Sequence, residues 1–315
     1  MKQIKLSILI PIFNVEKYIR RCAESLFNQT LKEDIEYIFV NDDTKDRSIA
    51  ILEEVLNNFP ERKNQVKIIQ HERNKGIGQT RLTAIENATG EYIAFCDSDD
   101  WIEPSMYEKL LRVALLGEYD IVGCDFVIEG TNGDQNVVFN YENKSDILRD
   151  VLGNRWGTVW KYIVRRSLVE SIKHKFSPKI CHGEDYIMTS LLLLNASSYH
   201  HIGERLYHYN CQNSSSLMHN VTQSAASEQV EASEIVFTEL KKRGLDTQYQ
   251  DEINVRKIFT RIQSLLAGLS NSSVYPEVKG SYWRNSRISI RKKFILSLLD
   301  LLPVKIASKL LRKLS

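Results

Sequence analysis

The sequence predicts an α/β fold: a mostly parallel sheet flanked by helices, followed by a helical C-terminal region. Three observations predict it. Over the first 125 residues, short apolar runs alternate with segments whose apolar residues recur every three or four positions, which is the pattern of βαβ units. Acidic residues cluster where two of the short runs end. After the polar Asn213–Ser216 run, everything that follows carries helical spacing.

Each element can be justified in turn. Leu6–Phe13 is a short apolar run read as a buried strand. Its setting in MKQIKLSILIPIFN imitates a secretory leader, but the run is only about eight residues, holds Pro11 and leads into Glu16, Lys17 and Arg20 with no small-residue cleavage site. Val15–Gln29 is helical, with Tyr18, Ile19, Cys22 and Leu26 on one face. Strand Ile35–Val40, helix Ser48–Phe59, strand Val66–Gln70, helix Gly78–Ala88 and strand Tyr92–Cys96 follow. Pro104 suits the first turn of a helix reaching about Leu116, and Asp120–Cys124 is a further strand. Beyond residue 126 come a turn-rich loop at Thr131–Gln135, helical stretches near Ser145–Leu152 and Glu184–Asn195, and short strands over Tyr199–Tyr209. A boundary near residue 217 divides residues 1–217 from a helical region, 218–315. Residues 222–269 in that region show mixed charge and no chemical motif, and read as a helical cap.

Composition narrows the class. At roughly 150 residues per domain, 315 residues suggest two domains. A 43% hydrophobic fraction with 6 Pro and 14 Gly excludes wholesale disorder and collagen-like repeats. Five widely spaced cysteines without a Cys-x-x-Cys pair support neither a disulfide framework nor a zinc knuckle. No run approaches the roughly 18 apolar residues of a membrane span. The net charge of +2 argues against nucleic-acid binding, but it is unevenly placed. From Arg284 to Ser315 nine basic residues face one acid, a surplus of +8 that leaves −6 on the rest. Ile295, Leu299, Leu302, Ile306, Leu310 and Leu314 recur at three or four residues there, beside Lys305, Lys309, Arg312 and Lys313. Over about 285–315 this is a basic amphipathic helix of the kind that lies on anionic membrane surfaces. The competing reading packs it on the acidic body.

The carboxylates point to the chemistry. Strand Ile35–Val40 runs into Asn41, Asp42, Asp43 and Asp46, and strand Tyr92–Cys96 runs into Asp97, Ser98, Asp99 and Asp100. Aspartates also serve plain turns and helix caps. Parallel sheets, however, bind ligands at the carboxyl ends of their strands. An Asp-x-Asp pair supplies hard oxygens that suit Mg²⁺ or Mn²⁺ better than zinc.

SILIPIFNVEKYI, VNDDTKDRS, NKGIGQTR and GEYIAFCDSDD, in that order, resemble the successive blocks of family 2 glycosyltransferases, inverting enzymes of the GT-A fold that use nucleotide-diphospho-sugars. The resemblance covers about residues 6–125, with a weaker extension to about 210. It implies that Pro11 and Phe13 line a nucleobase pocket with Glu16 nearby, and that Asp42 accepts a hydrogen bond from the base, typically uracil. Arg81 would lie against the nucleotide. Asp97 and Ser98 would contact the nucleotide-sugar, with Asp97 reaching the ribose or the metal's shell, and Asp99 would coordinate the metal. Two departures stand out. Asp43 and Thr44 replace the usual Gly and Ser, and Arg81 is followed by Leu82 rather than Asn.

The same resemblance makes Asp185 in HGEDY, residues 182–186, the base that deprotonates an acceptor hydroxyl, with Glu184 orienting it. A plain helix N-terminus explains those acids too. Trp160 and Lys161 are similar to an acceptor-side segment of the family, and His208 to a third metal ligand, with His182 as competitor. The implied protein is a metal-dependent transferase on the cytoplasmic face of the membrane, moving a sugar from a UDP-sugar to a glycan or lipid-linked acceptor of a bacterial surface polysaccharide. Two rivals remain. One is a sugar-phosphate nucleotidyltransferase, against which the glycine-free IPIFNVEKY segment counts. The other is a non-catalytic scaffold bound to a membrane.

Overall fold

The computed structural model describes residues 4–131, 133–141, 143–213, 222–269, 274–285, 288–302 and 306. The chain divides into two compact units. The first comprises residues 1–144, 158–179 and 192–214; the second comprises 145–157, 180–191 and 215–315. The expected boundary residue, 217, lies outside the described residues. Two segments that precede it, 145–157 and 180–191, group with the C-terminal helices instead of the sheet.

In the first unit the strands are β1 (Leu6–Ile12), β2 (Ile35–Asn41), β3 (Val66–Gln70), β4 (Tyr92–Phe95), β5 (Trp101–Ile102), β6 (Ile121–Glu129), β7 (Gln135–Val137), β8 (Tyr162–Arg165) and β9 (Tyr199–Asn210). They form one sheet in the order β3-β2-β1-β4-β8-β6-β9-β5, with β7 paired to β6. The run β3-β2-β1-β4 is parallel. Every residue of β1 and β4 is buried, as expected of strands covered on both faces. Helices α1 (Ile19–Phe27), α2 (Ser48–Asn57), α3 (Ile77–Asn87) and α4 (Met106–Leu116) alternate with them, close to the spans that periodicity predicts.

The second half of the sheet is mixed: β8 is antiparallel to β4 and β6, and β9 runs parallel to β6. β9 is one twelve-residue strand with bulges rather than several short ones. Its pairing with the two-residue β5 matters for the site, because β5 directly follows the Asp97–Asp100 turn. Helix α6 (Arg166–Ile172) follows β8.

The second unit is helical. It holds most of α5 (Lys144–Leu152), the first turns of α7 (Glu184–Asn195), and α8 (Gln223–Lys242), α9 (Gln250–Leu266) and α10 (Ile290–Leu301). Thr222 caps α8 by accepting from the Ala225 amide at 3.1 Å. Ile258, Val274, Tyr275, Val278, Tyr282 and Ile288 form a core against α9. No described helix is long and apolar enough to cross a membrane. Leu310, Leu314, Lys305, Lys309, Arg312 and Lys313 of the expected amphipathic tail lie outside the described residues.

Candidate functional site

The parallel register places the two acidic turns on one edge of the sheet. Ile12 of β1 pairs with Asn41 of β2, and Leu9 pairs with Phe95 of β4. The chain therefore leaves β2 into Asp42 and β4 into Asp97 on the same side.

The first turn is closed by its own hydrogen bonds. Asp42 is 3% exposed. Its Oδ1 accepts from Lys75 N at 2.8 Å and pairs with His71 Nδ1 at 2.7 Å, while Oδ2 accepts from Gly76 N at 2.8 Å. Gly76 has φ +84°, a conformation that glycine adopts without steric cost. Asp43, where the family usually has glycine, sits at φ +60°, which aspartate tolerates better than most residues. Asp46 ties this turn to the loop after β1, accepting from Thr44 Oγ1 (2.8 Å), Ser48 Oγ (2.6 Å) and Glu16 N (2.9 Å). Burial pushes the Asp46 carboxyl up, but the bonds from Ser48, Thr44 and Glu16 together hold it below its ordinary value. Glu16 in turn accepts from Arg47 N at 3.0 Å. Pro11 is buried within β1. Phe13 is not core: it is 46% exposed.

The second turn is crowded with charge. Asp97 accepts from Arg81 Nη2 at 3.0 Å, and the Arg81 guanidinium lies 5.6 Å from the Phe95 ring centre. Arg81 is 3% exposed, so it is no solvated helix residue. Ser98 and Asp100 are buried. Asp100 accepts from Tyr207 Oη at 2.6 Å and Asn210 N at 2.8 Å; Asp99 accepts from Asn213 Nδ2 at 2.8 Å. Burial first, and then the neighbouring Asp97, push the Asp99 carboxyl above its ordinary value. Burial, Asp99 and Asp97 push Asp100 up further. A divalent cation would relieve that repulsion, and the Asp97 and Asp99 oxygens are the hard donors it takes. The residues present therefore fit a metal.

Three expected site residues are placed elsewhere. Trp160 is 1% exposed, stacked on Tyr207 (4.2 Å) and Tyr209 (5.6 Å) and edge-on to Phe126 (4.8 Å). It is core, because its faces are already taken by aromatic partners. Lys161 is also 1% exposed, with Nζ 4.6 Å from the Phe139 ring centre, and so presents no cation to an acceptor. His208 pairs through Nε2 with Glu103 at 2.9 Å and stacks on Trp101 at 3.4 Å. It is not gathered with Asp97 and Asp99, and no group of three metal-capable side chains occurs among the described residues.

In the second unit, Glu184 and Asp185 open α7, as expected. The turn before them is held by a residue that pattern reading passes over. Glu228 of α8 accepts from Cys181 N at 2.8 Å and His182 N at 3.0 Å. His71, Tyr207, Asn210 and Asn213 were missed as well. His71 alone had a signal, since it follows β3 directly at the same edge as Asp42.

The profile of Glycosyl transferase family 2 matches residues 7–170, which spans β1 through β8 and both acidic turns. The chain belongs to this family. Among relatives of this family 2 glycosyltransferase, the Bacillus subtilis protein EpsH is 37% identical over 212 residues, 64% of this chain and 60% of EpsH. The chain thus spans less than two thirds of that relative. Staphylococcus aureus TarS residues 1–349, solved in complex with UDP-GlcNAc, superimpose with a TM-score of 0.60 at 19% identity, covering 96% of this chain and 88% of that one. Pyrobaculum calidifontis mannosyltransferase PcManGT, in complex with GDP-Man and Mn²⁺, gives 0.57 at 12% identity, covering 98% and 87%. At those identities the likeness shows a common GT-A fold.

Proposed function

We propose that this family 2 chain is an inverting glycosyltransferase that moves a sugar from a nucleotide-diphospho-sugar, of uridine type, to a hydroxyl of a glycan or lipid-linked acceptor in surface-polysaccharide assembly. The observation that carries the reading is the Asp97–Asp99 pair. It lies at the carboxyl end of β4, and its second member is held above its ordinary pKa by burial and like charge. An enzyme that binds its donor together with a divalent metal gains from such a pair, because the metal supplies the missing positive charge. Fold neighbours solved with UDP-GlcNAc, and with GDP-Man and Mn²⁺, support the same donor class.

Asp97 and Asp99 would hold Mn²⁺ or Mg²⁺, which when bound supplies charge stabilisation to the departing diphosphate. Arg81 keeps Asp97 in place. Asp42 has three of its roughly four carboxylate acceptor positions filled by its own chain. We assign the one left on Oδ2 to a base N–H, the role that the family resemblance implies for Asp42. Phe13 offers an exposed ring at the same edge, with Pro11 and Glu16 beside it in sequence, and Ser98 borders the metal pair. Asp185 removes the acceptor proton as the hydroxyl attacks the anomeric carbon, and Glu184 orients the acceptor. For α10 we propose contact with the inner face of an anionic membrane. Ile290, Phe294 and Leu301 are 70%, 63% and 82% exposed on one helical face, and Arg291 and Lys293 accompany them.

The test is thermal shift against nucleotide-sugars with Mn²⁺ or Mg²⁺, paired with product analysis. Stabilisation by a UDP-sugar only when a metal is present, and transfer lost in Asp185→Asn with that stabilisation kept, are expected. No shift with any nucleotide-sugar would overturn the assignment. Sedimentation with anionic vesicles, abolished by deleting residues 285–315, checks the membrane contact.

A further inference from the structure

We infer that Glu228 is a positioning residue for Asp185, so that the helical region reads as part of the catalytic apparatus rather than a cap. The inference rests on the reading of Asp185 as the base. Its geometry lies wholly within the second unit. The Glu228 Oε2 accepts from two successive amides, Cys181 N at 2.8 Å and His182 N at 3.0 Å, and lies 3.2 Å from His182 Nδ1. Ser224 Oγ steadies the other oxygen at 3.2 Å. One carboxylate thus fixes the backbone of the two residues that lead into the Gly183 turn.

Gly183 then lets that turn lie directly on α8. It adopts φ +104°, and a Cβ there would stand 2.8 Å from Ala232 Cβ. Any side chain would push the turn off the helix. Immediately beyond, Ile187 N bonds to Gly183 O at 3.1 Å, so α7 starts at the point Glu228 fixes, with Glu184 and Asp185 in its first turn.

The far side of Asp185 is held as firmly. The Tyr186 ring lies under the Arg256 guanidinium at 3.9 Å. Arg256 is itself buried and anchored on Ser233 Oγ (2.9 Å), Gln229 Oε1 (2.6 Å) and Asn154 Oδ1. Residue 182 is therefore tied to α8 and residue 186 to α9, with the candidate base between them. Burial raises the Glu228 carboxyl, but the Cys181 and His182 bonds outweigh it and hold the group below its ordinary value. It is ionised at neutral pH, and its bonds to backbone amides are of the strong, charge-assisted kind. This also explains why residues 180–191 group with the C-terminal helices although they lie before the expected boundary.

A base displaced by about 1 Å can cost on the order of 10²-fold in rate. Glu228→Ala is expected to lower kcat by about 10- to 100-fold. The donor KM and the thermal shift produced by nucleotide-sugar plus Mn²⁺ should not change. Glu228→Gln, which keeps an acceptor oxygen for the same amides, should recover most of the rate. In an Asp185→Asn background the Glu228→Ala change should cost nothing more, because the group it places is already lost. An unchanged kcat in Glu228→Ala, or a rate loss that tracks loss of donor binding, overturns the inference. Wild-type transfer by Asp185→Asn alone removes Asp185 as base, and that failure is distinct because it needs no Glu228 variant.

Discussion

The two acidic turns look alike in sequence and differ in kind. Each is a run of aspartates at the carboxyl end of a parallel strand. Asp42 meets three donors of its own chain and is sealed at 3% exposure. Its charge is spent on holding the loop of residues 71–76 against β2. At the other turn, Arg81 pairs with Asp97, while burial and the like charge of their neighbours push both Asp99 and Asp100 up in pKa. One turn has most of its acceptor positions filled without a ligand; the other carries a charge imbalance that a ligand would relieve. An acidic cluster is thus informative only once its donors are known.

The largest effect should come from breaking the complete turn. Asp42→Ala leaves Lys75 N, Gly76 N and His71 without their acceptor in a buried place. A loss of about 3 kcal/mol is expected, the usual cost of removing one partner from a buried charged interaction. Urea unfolding of the ligand-free protein measures it. A change below about 1 kcal/mol would mean that Asp42 is no keystone and that the two turns are equivalent.

A smaller effect of opposite sign is expected at the other turn. Because the native pKa of Asp99 lies above its ordinary value, the native state binds its proton more tightly than the unfolded chain does. Its contribution is fully present below the unfolded pKa and is lost as pH rises through the raised native value. Asp99→Asn removes that loss. The ligand-free variant should gain stability on the order of 1 kcal/mol at pH 7, a typical single-substitution magnitude, with a flatter stability profile than wild type on the acid side of neutrality. It should also lose Mn²⁺-dependent stabilisation by a nucleotide-sugar. A variant less stable than wild type at pH 7 would show that the Asn213 bond outweighs the repulsion.

What could be read from the residues alone follows the range of the interactions. Strands β1 to β4 and their helices rest on local periodicity, and their positions agree with it to within a few residues. Both acidic turns were legible because they sit where such strands end. Their difference was not, since the partners that decide it come from elsewhere in the chain. Lys75 and Gly76 lie more than thirty residues after Asp42, while Tyr207, Asn210 and Asn213 lie more than a hundred after Asp97 and Asp99. The place of Trp160 in the core, instead of on an acceptor side, was hidden for the same reason. Its burial depends on Tyr207 and Tyr209 across the mixed half of the sheet, where alternating periodicity is weak. Glu228 gave no signal at all: a glutamate in a helix of mixed charge looks solvated until the turn it binds is in place.

Phe13 is the smallest stability effect and the sharpest probe of whether the sealed turn still serves a ligand. It follows β1 at the edge that carries Asp42, yet it is 46% exposed, an unusual setting for a large aromatic that follows seven fully buried strand residues. An exposed ring adds little to folding, so Phe13→Ala should change unfolding free energy by less than about 0.5 kcal/mol. If the ring stacks on the donor's base, its removal forfeits about 1–3 kcal/mol, the range measured for base–aromatic stacking, and weakens donor affinity roughly 5- to 150-fold. Isothermal titration with UDP in the presence of Mn²⁺ separates the two quantities. Unchanged affinity would confine the donor to the Asp97–Asp99 side and leave the Asp42 turn a purely structural feature. Weakened affinity at constant stability would show that a turn finished by its own hydrogen bonds still works for the ligand, as the rigid wall against which an exposed ring is set.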